Sequence, residues 1–161
     1  MIEPMGSILD HSRSDIYWMR KAFKLANKAH SEKEVPVGAI VVQGNKVIGQ
    51  GYNQRERLKD PTAHAEIIAI TSASNTINNW RLSGCTIYVT KEPCPMCAGA
   101  IINSRIEALI FGAYDDEKGS CGSLYQLCGD KRLNSKTSVR GGIMENECAM
   151  LLKEFFKSKR S

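Results

Sequence analysis

Two short motifs constrain the fold of this chain more than any other feature: an H-x-E that begins at His64 and a P-C-x-x-C that ends at Cys97. One imidazole and two thiolates suit zinc, and a zinc ion held by three protein groups keeps a fourth position for water. The fold must therefore bring His64, Cys94 and Cys97 to one point. Glu66 would lie beside that water, where a carboxylate can carry protons.

The residues around both motifs predict that each lies at the N-terminus of a helix. Pro93 precedes the cysteines, and proline is favourable at a helix start, where free backbone amides and the helix dipole stabilise thiolates. The turn sequence 60–62 precedes His64, and an apolar run at 67–70 follows it. We therefore expect both motifs to point into one cleft.

The spacing of the two motifs indicates catalysis. H-x-E followed about thirty residues later by P-C-x-x-C is the signature of zinc deaminases that act on nucleobases. A C-x-x-C motif alone also occurs in closed structural zinc sites and in redox pairs. A structural zinc or a thiol pair is therefore the alternative interpretation.

The composition is that of one globular domain. The chain has 161 residues and a formal net charge of +5, which permits an acidic partner such as RNA without requiring one. The first residues lack the features of a signal peptide, and no apolar run is long enough to cross a bilayer. We therefore expect a cytoplasmic protein with reduced thiols, and these are Cys85, Cys121, Cys128 and Cys148 beside the two metal ligands.

Hydrophobic patterns predict an α/β domain over residues 14–161, preceded by a disordered extension over residues 1–13. A helix is expected from Ser14 and Asp15, a capping pair. The other predicted elements are a hairpin over 37–52, strands at 85–90, 108–111 and around Val139, a ligand helix at 98–103 and a closing helix after Gly142. Strand, helix and strand with short connections imply parallel neighbours, so we expect a mixed sheet with helices on its faces.

Several residues outside the two motifs have more than one interpretation. Asn53 either offers its amide to a base edge or completes a turn. Trp80 is expected to be a core anchor, and the glycine-rich loop 115–123 to line the cleft. Phe155 and Phe156 precede a basic segment, residues 157–160. Those cations either complement a helix dipole or, with the aromatic pair, bind single-stranded nucleic acid.

Residues 17–160 resemble the bacterial tRNA-specific adenosine deaminases. The stretches that carry the resemblance are EVPVGA at 34–39, DPTAHAE at 60–66, EPCPMCAGA at 92–100, NSRI at 103–106, FGA at 111–113, GSL at 122–124 and the aromatic-basic end. The two metal motifs belong to all cytidine deaminase-like proteins, whereas the flanking stretches narrow the resemblance to the tRNA enzymes. Two positions depart from the family pattern: Ser135 stands where histidine is usual, and Lys91 where an apolar residue is usual.

The resemblance implies a three-layer α/β/α cytidine deaminase-like fold with a mixed five-stranded sheet. It also implies a homodimer that uses one zinc per subunit to convert adenosine to inosine at the wobble position of a tRNA anticodon. His64, Cys94 and Cys97 would then be the zinc ligands and Glu66 the proton shuttle. The substrate-binding residues implied by the family are Asn53, Asp115, Phe155 and Phe156.

Two rival functions fit part of the pattern. One is a zinc deaminase of a free base or nucleotide, of the guanine, cytosine or cytidine type. The other is a non-catalytic RNA-binding zinc module, which would have no need of Glu66.

Overall fold

A computed structural model describes the backbone of residues 3–159 and the side chains of residues 15–159. Within that part, the helices are α1 (Glu3–Ser31), α2 (Arg55–Leu58), α3 (Ala65–Ile77), α4 (Pro95–Asn103) and α5 (Glu145–Lys159). The strands are β1 (Gly38–Gln43), β2 (Lys46–Tyr52), β3 (Cys85–Lys91), β4 (Ala108–Ala113) and β5 (Ser138–Arg140). Two short 3-10 turns cover Leu127–Gly129 and Lys131–Leu133.

The strands described form one mixed sheet in the order β2-β1-β3-β4-β5. The β-branched run of β1 pairs antiparallel with β2 through a tight turn, in which Gly44 has a positive φ of 62°. On its other side β1 is antiparallel to β3, and β3, β4 and β5 are parallel. The predicted hairpin and the predicted mixed five-stranded sheet are both confirmed.

Successive side chains of a strand point to opposite faces of the sheet, and each face is covered by its own layer of helices. On one face Ile40 and Tyr88 pack against Trp18 and Met19 of α1. Helix α5 covers the same face further along β4, where a Cβ on Gly112 would contact Cys148. On the opposite face the core residues of the strands pack against α3 and α4, and they include Val41, Ile87 and Leu109. The three-layer α/β/α architecture is therefore confirmed.

Helix α3 lies unusually close to β2. A Cβ on Gly51 would lie 2.7 Å from the carbonyl oxygen of Ala65 and 2.8 Å from the amide nitrogen of Ala69. Only glycine permits this approach, because the atoms it faces are backbone atoms that cannot move aside. The contact fixes the N-terminal end of α3 against the sheet, and His64 immediately precedes that end.

The first helix differs from the sequence prediction. Its backbone is helical from Glu3, earlier than the expected start near Ser14. Asp15 does not cap it; the Asp15 carboxylate accepts hydrogen bonds from the Tyr88 hydroxyl at 3.0 Å and from Nη2 of Arg140 at 2.7 Å. The side chains of residues 1–14 lie outside the described part, so the disordered extension over residues 1–13 stays a prediction.

The prediction that Trp80 anchors the core was wrong. Its side chain is 53% exposed, and the guanidinium carbon of Arg81 lies 4.3 Å from its ring centre. Leu82, which is fully buried, fills the core position in this loop instead. One large side chain suffices to close the core between α3 and β3, so the tryptophan remains outside.

The second ligand helix also begins earlier than predicted. α4 starts at Pro95 rather than at residue 98, because proline occupies the first helical position and Cys94 is the N-cap. No helix within residues 3–159 is both long and apolar enough to span a bilayer.

Candidate active site

The imidazole and the two thiols of the sequence motifs converge. Nδ1 of His64 lies 3.4 Å from Sγ of Cys97 and 3.7 Å from Sγ of Cys94. All three donor atoms lie within 4.8 Å of one another. These side chains form a group that can hold a metal ion.

The donor set fits a tetrahedral zinc ion. With Zn–N and Zn–S bonds of about 2.0 and 2.3 Å, a tetrahedral angle places nitrogen and sulfur about 3.5 Å apart. The two measured N–S separations, 3.4 and 3.7 Å, lie on either side of that value. Three donors leave one tetrahedral position for a reacting group.

Both ligand groups lie at helix N-termini, as the sequence predicted. His64 is the N-cap of α3 and Cys94 is the N-cap of α4. Before His64, Oδ1 of Asp60 accepts hydrogen bonds from the amide and the hydroxyl of Thr62, both at 2.8 Å. That turn directs the chain into α3, and the positive ends of two helix dipoles meet at the metal group.

Glu66 lies in the first turn of α3 and is only 4% exposed. Burial raises the pKa of its carboxyl group, although its own backbone amide and the nearby His64 partly oppose this shift. A carboxyl group with a raised pKa exchanges protons more readily near neutral pH. Its position and its pKa both suit a proton carrier.

The two thiols interact with each other. A hydrogen bond from Cys97 lowers the pKa of Cys94 to about 3, against the opposing effect of burial, and His64 contributes in the same direction. The same contact with Cys94, together with burial, raises the pKa of Cys97. A positive ion at this point would favour the thiolate form of both residues.

A cavity of about 650 Å³ opens beside the metal group. His64, Glu66 and Cys94 form its inner wall. Its outer walls come from the segments before β1 and after β2, from the loop after β4 and from α5. The cavity is therefore large enough to admit a ligand that extends beyond a single ring.

Comparison with known proteins agrees with this geometry. A family model described as MafB19-like deaminase matches residues 13–160. The tRNA-specific adenosine deaminase of Bacillus subtilis (strain 168) is 42% identical over 146 residues, which is 91% of this chain and 91% of that protein. The protein of the same name from Buchnera aphidicola subsp. Schizaphis graminum is 49% identical over 150 residues, 92% of this chain and 98% of the relative.

The chain belongs to the tRNA-specific adenosine deaminase family. A structure solved in a study of A-to-I editing by tRNA:A34 deaminases superposes on it with a TM-score of 0.81 and 37% sequence identity. That alignment covers 84% of this chain and 98% of the solved one. The resemblance seen in the sequence, and the deaminase fold that it implied, are thereby confirmed.

Asn53 of this deaminase both completes a turn and lines the cavity. Its Nδ2 donates to the carbonyl of Val35 at 3.3 Å, and its Oδ1 accepts from the amide of Arg55 at 3.2 Å. An amide side chain has two N–H donors and two lone pairs on oxygen, so one of each is left for a ligand. The two interpretations of Asn53 are therefore compatible.

Asp115 lines the cavity at the start of the loop after β4. Oδ1 accepts from the amides of Glu117 at 3.0 Å and Lys118 at 3.3 Å, and Oδ2 pairs with Nζ of Lys91 at 3.2 Å. Burial alone would raise the pKa of Asp115, but these hydrogen bonds and the Lys91 charge outweigh it and lower the pKa. The carboxylate is thus already engaged by protein groups.

The two phenylalanines of α5 occupy different environments. Phe156 is 43% exposed and lines the cavity. Phe155 is buried, 3% exposed, with its ring centre 6.0 Å from that of His30 in an edge-to-face contact. Phe155 does not line the cavity beside the metal group. The structure therefore offers Phe156, and not Phe155, directly to a ligand in that cavity.

Sequence reasoning assigned no role to two buried carboxylates that shape the site. Glu92, 2% exposed, accepts hydrogen bonds from the backbone amides of Asp115, Cys121 and Ser123 at 3.0, 3.1 and 2.8 Å. Glu34, 1% exposed, accepts from the amides of Glu56 and Arg57 at the start of α2. Their only signal in the sequence is an acidic residue within an otherwise apolar or proline-containing segment.

Proposed function

We propose that this protein is a zinc-dependent enzyme that converts adenosine to inosine at the wobble position of a tRNA anticodon. The observation that carries the reaction type is the convergence of His64, Cys94 and Cys97 beside the buried Glu66 at the inner wall of the cavity. The substrate is inferred from the similarity to tRNA-specific adenosine deaminases over about nine-tenths of the chain. Residues 14–161 are proposed to carry this activity.

His64, Cys94 and Cys97 would hold one zinc ion per subunit. Zinc, when bound, supplies a water molecule acidic enough to give a nucleophile at neutral pH, with a pKa of about 7. A group with all four positions taken by protein would lack this chemistry, and within residues 15–159 no fourth histidine, cysteine or carboxylate joins the cluster.

Glu66 would carry the protons of the reaction. Its carboxylate would accept one proton from the attacking water and deliver it to N1 of the adenine ring. It would then take the second proton from the hydroxyl group formed at C6 and pass it to the amine, which leaves as ammonia while the C6 carbonyl of inosine forms. General acid–base catalysis of this kind contributes roughly 10²–10⁴ in rate. The nearly complete burial of Glu66 keeps bulk water from competing for these protons.

The outer cavity would hold the target nucleotide. The remaining amide donor and acceptor of Asn53 suit a base edge, and the exposed ring of Phe156 offers a face for stacking. Bases of an anticodon loop are already unpaired, so the cost of extruding one is smaller than in a duplex. The resemblance further leads us to propose a homodimer that acts in the cytoplasm.

The test is incubation of the zinc-loaded protein with total tRNA, followed by sequencing for A-to-G changes at the first anticodon position. We expect such changes with the unaltered protein. Glu66→Gln should keep one zinc per chain but form no inosine, whereas Cys94→Ser should lose the zinc as well. Full activity of Glu66→Gln would contradict the assigned role of Glu66.

Assays on the same protein preparation also distinguish the proposed function from the two rival functions. Release of ammonia from free guanine, cytosine or cytidine, with no inosine in tRNA, would favour a free-base or nucleotide deaminase. Binding of tRNA without any deamination would favour a non-catalytic zinc module.

A further inference from the structure

We propose that Lys91 is a substrate-contacting residue that binds a backbone phosphate of the RNA in the cavity. This inference rests on the proposed function, since it assumes that the ligand is a polynucleotide. It places the contact at Lys91, where an apolar residue is usual in the family, and not at Asp115, one of the substrate-binding residues that the resemblance implies.

Lys91 is well placed for such a contact. It is the last residue of β3 and lies opposite Ala113 of β4, where the strand ends at the cavity. Cys94 follows three residues later, so the Lys91 backbone lies within about 10 Å of a metal ligand. The Lys91 side chain is 29% exposed, so it is partly shielded from solvent.

The ammonium group of Lys91 has N–H donors that its contact with Asp115 does not use. It carries three N–H donors, and its contact with Oδ2 of Asp115 accounts for one. Within residues 15–159 no second acceptor for Lys91 is found. The pair with Asp115 thus orients the lysine and leaves donors for a ligand.

Asp115 is a poor candidate for the same contact. Three of its lone-pair positions are taken by Glu117, Lys118 and Lys91, and its side chain is only 14% exposed. An unpaired carboxylate on this wall would repel an RNA backbone. Lys91 cancels that charge, and its remaining N–H donors can still bind a phosphate oxygen, for which lysine is a common partner.

The test measures binding of a fluorescent anticodon stem-loop by anisotropy over a series of salt concentrations. Lys91→Met should weaken binding roughly five- to tenfold at moderate salt. It should also make the slope of log K against log salt shallower by about 0.7, the value for one phosphate contact on a single strand. Lys46→Met removes the same charge from an exposed lysine at the start of β2 and is the matched control.

A double substitution separates phosphate binding from a purely structural role. If Lys91 only neutralises Asp115, then Lys91→Met with Asp115→Asn should recover wild-type affinity and slope, which would overturn the proposal. If Lys91 contacts phosphate, the double variant keeps both the weaker binding and the shallower slope. An unchanged slope in the single variant would also overturn it.

Binding is read independently of turnover, so the two proposals fail separately. A wild-type protein that binds the stem-loop but forms no inosine would refute the proposed function while leaving the Lys91 test intact. A protein that forms inosine but shows no Lys91-dependent slope would refute only the inference about Lys91.

Discussion

Truncation of the two adjacent phenylalanines of α5 should affect different properties, namely stability for Phe155 and RNA binding for Phe156. Phe155 is 3% exposed and packs edge-to-face on His30, whereas Phe156 is 43% exposed and lines the cavity. Deletion of residues 155–161 would remove both and could not separate stability from substrate binding. The single substitutions Phe155→Ala and Phe156→Ala separate these two effects.

Phe155→Ala should mainly destabilise the fold. Removal of a buried phenylalanine costs about 3–5 kcal/mol, and we expect about 3 kcal/mol because Phe155 lies in the last turns of α5, where neighbours can relax. For a chain of this size each kcal/mol lowers the melting temperature by about 2–4 °C, so a fall of about 6–12 °C is expected. Circular dichroism during heating measures it.

Phe156→Ala should mainly weaken RNA binding. About half of its side chain is already exposed, so the loss of burial amounts to about 1 kcal/mol and the melting temperature should fall by only about 2–4 °C. Loss of one stacked base costs about 1–3 kcal/mol, or roughly 5- to 150-fold in affinity for an anticodon stem-loop. Wild-type affinity in Phe156→Ala, or an unchanged melting temperature in Phe155→Ala, would refute the reasoning.

Two further substitutions test how the site is held. Glu92→Gln places an amide group against backbone N–H donors. We expect the free energy of unfolding to fall by about 3 kcal/mol and the melting temperature by about 6–12 °C. Glu107→Gln, at an exposed position, is the control, and its melting temperature should stay within about 2 °C of the wild-type value. Gly51→Ala forces a Cβ to 2.7 Å from the Ala65 carbonyl, so α3 must shift; we expect a loss of about 1–3 kcal/mol and weaker zinc binding in a competition with a chelator. Gly129→Ala, whose nearest neighbour would be 3.7 Å away, is its control, and equal zinc affinity in both would contradict the role of Gly51.

Much of the fold could be predicted from the sequence because the signals were local. The β-branched runs and the glycine turn of the hairpin predicted β1 and β2, and proline beside the ligand motifs predicted two helix N-termini. Trp80 shows the limit of such reasoning. Whether a large apolar side chain is buried depends on how its loop packs, and in this loop Leu82 occupies the core position while Trp80 stays exposed. Burial is thus a property of the packed loop and not of the residue type.

In the site, too, some residues could be predicted from the sequence and others could not. The metal group could be predicted because its chemistry demands particular residues at a particular spacing, and the structure brings His64, Cys94 and Cys97 together. The role of Glu92 could not, because its partners are backbone amides in the loop that begins at Asp115, and amides carry no sequence signal. Yet Glu92 directly precedes the P-C-x-x-C motif, so one buried carboxylate joins the strand that leads to Cys94 and Cys97 to the loop that lines the cavity. We therefore expect that a change in the loop after β4 is transmitted through Glu92 to α4, and that ligand binding in the cavity is coupled to the positions of Cys94 and Cys97.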